Sequence, residues 1–146
     1  EPARSAFERV VIKQLVDLGR PAYLVRGVDG PNEPRKKGEV RILDNLDRNG
    51  ISALLSAAEI VICRPGYSSI MDLAVLGRKA ILVPTPGQPE QEYLAIRLKV
   101  SRYYALQNQD QLDLEAAISR LNEVPDPRPV SRDTMAIQSA LQELTS

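Results

Sequence analysis

The sequence predicts an α/β domain built on a doubly wound parallel sheet. Short, continuous apolar runs, among them VRIL, EIVICR and KAILVP, lack the alternation of a half-exposed strand and suit strands covered on both faces. Segments of helical spacing lie between most of them, and strand alternating with helix calls for right-handed crossovers. Several strands also exit into Gly, Pro and polar residues, the punctuation of β-to-α junctions in such folds.

The chain opens on EPARSAFERVVIKQLVDLG, where Phe7, Val11, Leu15 and Leu18 recur at helix spacing and Gly19 suits the stop. A domain that starts on a helix with no strand before it reads as cut from something longer. AYLVRG is the first strand. RGVDGPNEPRKKGE, residues 26–39, is rich in Gly, Pro and charge and predicts a mobile surface loop, its RKK a solvated turn rather than an anion contact. Val40 to Leu43 form the next strand, and Ile51 to Ala58 a helix. Strand Glu59 to Arg64, helix Ser68 to Leu76, strand Lys79 to Pro84, helix Glu90 to Lys99, strand Arg102 to Gln107 and helix Leu112 to Leu121 complete a Rossmann-like domain over residues 1–122. EVPDPRPVSRD then cannot continue a helix. It leads to an amphipathic segment with Ile137, Leu141 and Leu144 on one stripe, so residues 123–146 read as a Pro-rich linker and a terminal helix that docks outside the main sheet.

Composition narrows the function. At 146 residues the chain is one domain's worth, and 43% hydrophobic with 26% charged residues is ordinary for a soluble globular protein. Nineteen basic and nineteen acidic residues cancel, so no overall field draws it to nucleic acid. The single cysteine rules out an internal disulfide and fits a reducing, cytoplasmic compartment. No apolar run reaches the roughly 20 residues a membrane-spanning helix needs. Histidine is absent, which removes the commonest general base and any His-based metal site.

The chemistry concentrates at CRPGYSSIMDL. In open parallel sheets ligands sit beyond the carboxyl ends of the strands, and this stretch lies at such an end. Gly66 lets a ligand approach the backbone, and Ser68 and Ser69 sit where free N–H groups and the helix dipole favour a diphosphate. Asp72 shares their face and can accept a pair of hydrogen bonds from vicinal hydroxyls, as on a ribose. The competing reading is structural: Ser69-x-x-Asp72 is also a capping-box pattern. Arg64 suits an anion but could equally pair with a carboxylate, and Cys63 is most simply a small buried apolar residue. One strand later, VPTPGQPEQEYLA places Gln88, Glu90, Gln91 and Glu92 at another helix start. Amides and carboxylates there suit sugar hydroxyls, which both donate and accept, although acids at the positive end of a helix need no ligand to explain them.

Together, EIVICRPGYSSIMDLAVLGRKAILVPTPGQPEQEYLA resembles the C-terminal half of MurG-type glycosyltransferases, family twenty-eight, of the GT-B fold. The resemblance implies a Rossmann-like domain that binds a nucleotide-sugar donor, commonly UDP-N-acetylglucosamine, opposite an N-terminal acceptor-binding domain of the same chain. By that resemblance Arg64 and Gly66 match the family's strand-end Arg and Gly. Tyr67, Ser68 and Ser69 match donor-site lining residues, Asp72 the ribose-binding Glu, and Gln91 and Glu92 the Gln pair that reads the donor sugar. A frequent Asn is Ala95 here. Leu43 and Asp44 match, more loosely, a strand end whose backbone contacts uracil. The family's glycine-rich diphosphate loop would lie before Glu1.

The resemblance further implies an inverting, metal-independent transferase without a cofactor, with the general base in the other half, so no catalytic residue is assigned in this chain. It implies a cytoplasmic protein, peripheral at the inner face of the plasma membrane through that other half. Two alternatives stand beside it. One is a non-catalytic Rossmann-like binding module; the other is a half resembling a UDP-sugar 2-epimerase, whose acidic and histidine groups are hard to find here.

Overall fold

The computed structural model describes residues 2–130, so the terminal helix expected over 131–146 lies outside the described residues. The chain divides into two compact units between Leu54 and Leu55.

In the first unit α1 (Pro2–Leu18) is followed by β1 (Ala22–Val25), β2 (Arg35–Lys37) and β3 (Val40–Leu43). Val11 and Leu15 of the predicted stripe are buried. β1 and β3 pair in parallel, from Ala22 opposite Val40 to Val25 opposite Leu43. The RKK segment departs from expectation: Arg35 to Lys37 form an exposed strand, antiparallel to β3 on its outer edge. A buried carboxylate gives the reason. Asp44 accepts from the Glu33 backbone N–H at 3.1 Å and from Arg35 and Arg26 at 3.2 Å, and Arg26 also binds Glu8 of α1 at 3.1 Å. Asp44 therefore ties several parts of the 26–35 connection to one point and brings RKK alongside β3.

The helix α2 (Arg48–Ala57) starts before its predicted first residue because the Asp47 carboxylate caps it, accepting from the Gly50 N–H at 2.7 Å. In the second unit β4 (Ile60–Cys63), α3 (Tyr67–Leu76), β5 (Lys79–Leu82), α4 (Pro89–Leu98), β6 (Tyr104–Leu106) and α5 (Leu114–Asn122) alternate as expected. The sheet is wholly parallel in the order β4-β5-β6, with Ile60 opposite Lys79 and Ala80 opposite Tyr104. All four residues of β5 are buried, which is why KAIL shows no alternation. Ile70, Leu73, Ala74, Ala80, Leu82, Leu98 and Tyr104 form the core beneath α3 and α4.

Helix ends follow their local chemistry. Gly77, at φ +66°, closes α3 in a Schellman motif: its N–H bonds the Ala74 carbonyl, and the Arg78 N–H bonds that of Leu73. Lys79 is buried, yet its ammonium donates at 2.8 Å to the carbonyls of Leu121 and Val124 at the end of α5, a placement the helix dipole favours. The described part of the Pro-rich segment is attached rather than held away. The Val130 N–H bonds the Ala74 carbonyl, and a Cβ on Gly77 would meet the Pro127 carbonyl at 2.7 Å.

Candidate functional site

Because β4, β5 and β6 are parallel neighbours, their three exits emerge on one edge of the sheet. Ladder bonds carry the pairing past the strand ends: the Val83 N–H donates to the Cys63 carbonyl and the Gln107 N–H to the Leu82 carbonyl, each at 3.0 Å. The junctions around Arg64, Val83 and Gln107 are thus fixed side by side.

At the first junction Pro65 is buried and Gly66 takes the N-cap position of α3, with extended backbone (φ −146°, ψ 160°) and no side-chain cap. That outcome removes the capping-box reading of Ser69 and Asp72. Ser69 is the third helical residue and Asp72 lies in the next turn, so neither stands where a box requires it. Tyr67 and Ser68 are exposed, Ser69 and Asp72 half-buried. The N-cap residue of this helix therefore supplies no side-chain acceptor for the first backbone N–H groups, an arrangement that suits an anion. A Cβ built on Gly66 meets nothing within 4 Å, and its φ does not demand glycine. Open space borders the backbone there.

The second junction, 83–88, leads into α4. Gln88 is its N-cap, accepting from the Glu90 N–H at 3.1 Å, with Pro89 and the acids Glu90 and Glu92 in the first turn. Gln91 is half-buried, and its side-chain carbonyl accepts from the Thr85 N–H at 2.7 Å. Only oxygen can accept from an N–H, so the amide's orientation is settled and its NH₂ carries the remaining donors. Of the four polar residues predicted here, Gln88 serves the helix start, Gln91 presents an oriented amide, and Glu90 and Glu92 are exposed. Ala95, where the resembling family often carries Asn, is 1% exposed and faces the core.

Arg64 joins the junctions. Its guanidinium donates to the Val83 carbonyl at 3.0 Å and to the Gln109 side-chain oxygen at 2.8 Å. Sequence reasoning missed Gln109, which is buried in the short turn Gln109–Gln111 after β6. The signal was present: QNQDQ is a third polar exit from a strand, open to the logic applied to the first two. Cys63 packs against the core, and burial pushes its thiol up to about 12, leaving no thiolate near neutrality. Burial likewise raises the pKa of the Tyr104 hydroxyl, which has no hydrogen-bond partner among the described residues.

Leu43 and Asp44 belong to the first unit. There the Leu43 carbonyl accepts from the Arg26 N–H and the Asp44 carbonyl from the Val28 N–H, each at 2.9 Å, while the Asp44 N–H donates to the Asn32 side-chain oxygen at 2.9 Å. These backbone groups hold the 26–33 segment. The Glu33 N–H, then Arg35 and Arg26, hold the Asp44 carboxyl below the usual carboxylate range.

The model of the glycosyltransferase family 28 C-terminal domain matches residues 35–145. The UDP-N-acetylglucosamine--N-acetylmuramyl-(pentapeptide) pyrophosphoryl-undecaprenol N-acetylglucosamine transferase of Bifidobacterium longum is 36% identical over 85 residues, 58% of this chain and 21% of that protein. The transferase of the same name from Desulforudis audaxviator is 58% identical over 47 residues, 31% of this chain and 13% of that protein. The chain thus spans only 12% to 21% of the length of such relatives. Among solved structures, the glycotransferase of kitacinnamycin superposes on 95% of this chain and 34% of its own, with a TM-score of 0.59 and 18% identity, a likeness of fold. With more than half of its residues matched by that family model, the chain belongs to the glycosyltransferase family 28 C-terminal domains.

Proposed function

We propose that residues 55–130 form the donor-binding part of an inverting glycosyltransferase that takes a UDP-sugar of the UDP-N-acetylglucosamine class. The observation that carries this reading is the pairing of two junctions on one sheet edge. One is a helix start without a side-chain cap beside open space at Gly66; the other is the oriented amide of Gln91. The first suits a diphosphate and the second a sugar hydroxyl.

In the reaction, an acceptor hydroxyl oxygen attacks the anomeric carbon while the bond from that carbon to the diphosphate oxygen breaks. The electron pair and its negative charge pass to the leaving nucleoside diphosphate. The hydroxyl proton goes to a base on the acceptor-binding part of the whole protein. N–H groups at the start of α3 face the growing charge and need no reorganisation to stabilise it. Asp72 accepts from the ribose hydroxyls, and the Gln91 NH₂ donates to the sugar. We place the charge stabilisation on the helix start without a divalent metal. The relatives' printed names supply the donor class, and the acceptor they name, a pyrophosphoryl-undecaprenol, is the corresponding expectation for the whole protein.

Calorimetric titration of the chain with UDP, UDP-N-acetylglucosamine, GDP and dTDP, with and without EDTA, tests the reading. UDP and its sugar should bind best, unchanged by EDTA, and Asp72→Ala should weaken both. Absence of nucleotide binding would instead favour a non-catalytic module.

A further inference from the structure

We infer that Gln109 is a positioning residue that sets how the donor's sugar, rather than its nucleotide, is held; the inference rests on the donor-site reading above. Gln109 follows β6, is 8% exposed, and accepts from one Arg64 nitrogen at 2.8 Å. The other terminal nitrogen of Arg64 donates to the Val83 carbonyl at 3.0 Å. Arg64 stands two residues before Gly66, and Val83 two before Thr85, whose N–H orients Gln91 at 2.7 Å. A single planar guanidinium, gripped from the third strand end, therefore fixes the spacing between the diphosphate-binding and sugar-reading junctions. A guanidinium holds that spacing well because its donors are fixed in one plane.

The consequence is specific. A nucleoside diphosphate alone needs the first junction, whereas a nucleotide sugar must meet both at once. Loosening Arg64 should leave UDP affinity nearly unchanged and remove the part of the affinity that the sugar adds. A general packing role for Gln109 would lower thermal stability and weaken both ligands alike.

The test compares the Kd of UDP with that of UDP-N-acetylglucosamine by calorimetry, using the chain as it stands, for wild type, Gln109→Leu, Gln109→Asn and Gln109→Glu. In Gln109→Leu the discrimination between the two ligands should fall by about tenfold, the loss of one charge-assisted hydrogen bond. Gln109→Asn, which withdraws the same oxygen by one methylene, should fall between Leu and wild type and keeps the test valid if the Leu variant does not fold. Gln109→Glu retains an acceptor for Arg64 and should restore discrimination. Equal discrimination in wild type and both Gln109→Leu and Gln109→Asn overturns the positioning role while leaving the donor site intact. Failure of the wild type to bind either ligand overturns the donor site and this inference with it.

Discussion

Gly66→Ala separates a glycine kept for a ligand from one kept for the fold. The native φ of −146° is open to alanine, and the added methyl meets no protein atom within 4 Å. Two small effects on stability oppose each other. Alanine reduces the freedom of the unfolded chain, which stabilises by about 0.4–1 kcal/mol. It is also a poorer N-cap than glycine, which costs about 0.5–1 kcal/mol. The net change should lie within about 0.5 kcal/mol of zero, readable as an unchanged urea midpoint. Ligand binding should respond very differently, because the methyl occupies the open space that borders the backbone at Gly66. Loss of one charge-assisted bond to a diphosphate costs about 1.5–3 kcal/mol, a roughly ten- to hundredfold rise in the Kd for UDP. The paired assays are urea denaturation followed by circular dichroism and calorimetric titration with UDP. Wild-type UDP affinity in Gly66→Ala would refute the claim that the donor approaches this backbone, and a collapsed midpoint would show that the glycine serves the fold.

Gly77→Ala should behave in the opposite way. The position needs φ +66° and its Cβ would meet the Pro127 carbonyl at 2.7 Å, so a loss of about 2 kcal/mol or more in urea denaturation is expected, with UDP binding by the folded fraction unchanged. Tyr104→Phe removes a buried hydroxyl that has no partner among the described residues, and thermal melting should show unchanged or raised stability. Asp44 titrates below its ordinary value in the folded chain, so the stability it confers is complete above about pH 4 and is lost as the pH falls through its lowered value. The stability gap between wild type and Asp44→Asn should therefore be full at neutral pH and close in acid, as followed by denaturation across a pH series.

Much of the second unit was legible because its signals are local. A strand buried along its whole length must be apolar on both faces, so KAILVP declared itself without neighbours; β4 is only half-buried, and β3, read the same way, instead alternates with Arg41 exposed. Glu90 and Glu92 mark the start of α4 through the helix dipole, which is a property of a few adjacent residues. The 26–39 segment misled because Gly, Pro and charge look the same in a solvated loop and in a connection gathered around a carboxylate. Asp44 does that gathering from a later strand end, beyond the reach of any local pattern. The same limit applied to Ser69 and Asp72, whose spacing matched a capping box until the helix was seen to start at Tyr67.

The sequence by itself determined the order of strands and helices apart from β2, the placing of Gly66 and Gln91 at strand exits, and the resemblance to family 28 domains, since apolar runs and turn residues act over short stretches of chain. Only the tertiary structure decided that Arg64 bridges three strand exits through Val83 and Gln109, that the Gln91 amide is turned by Thr85, and that Ala95 faces the core. The physical reason is distance along the chain. Arg64 and Gln109 are separated by 45 residues, and a hydrogen bond between them exists only once parallel pairing has brought β4, β5 and β6 side by side.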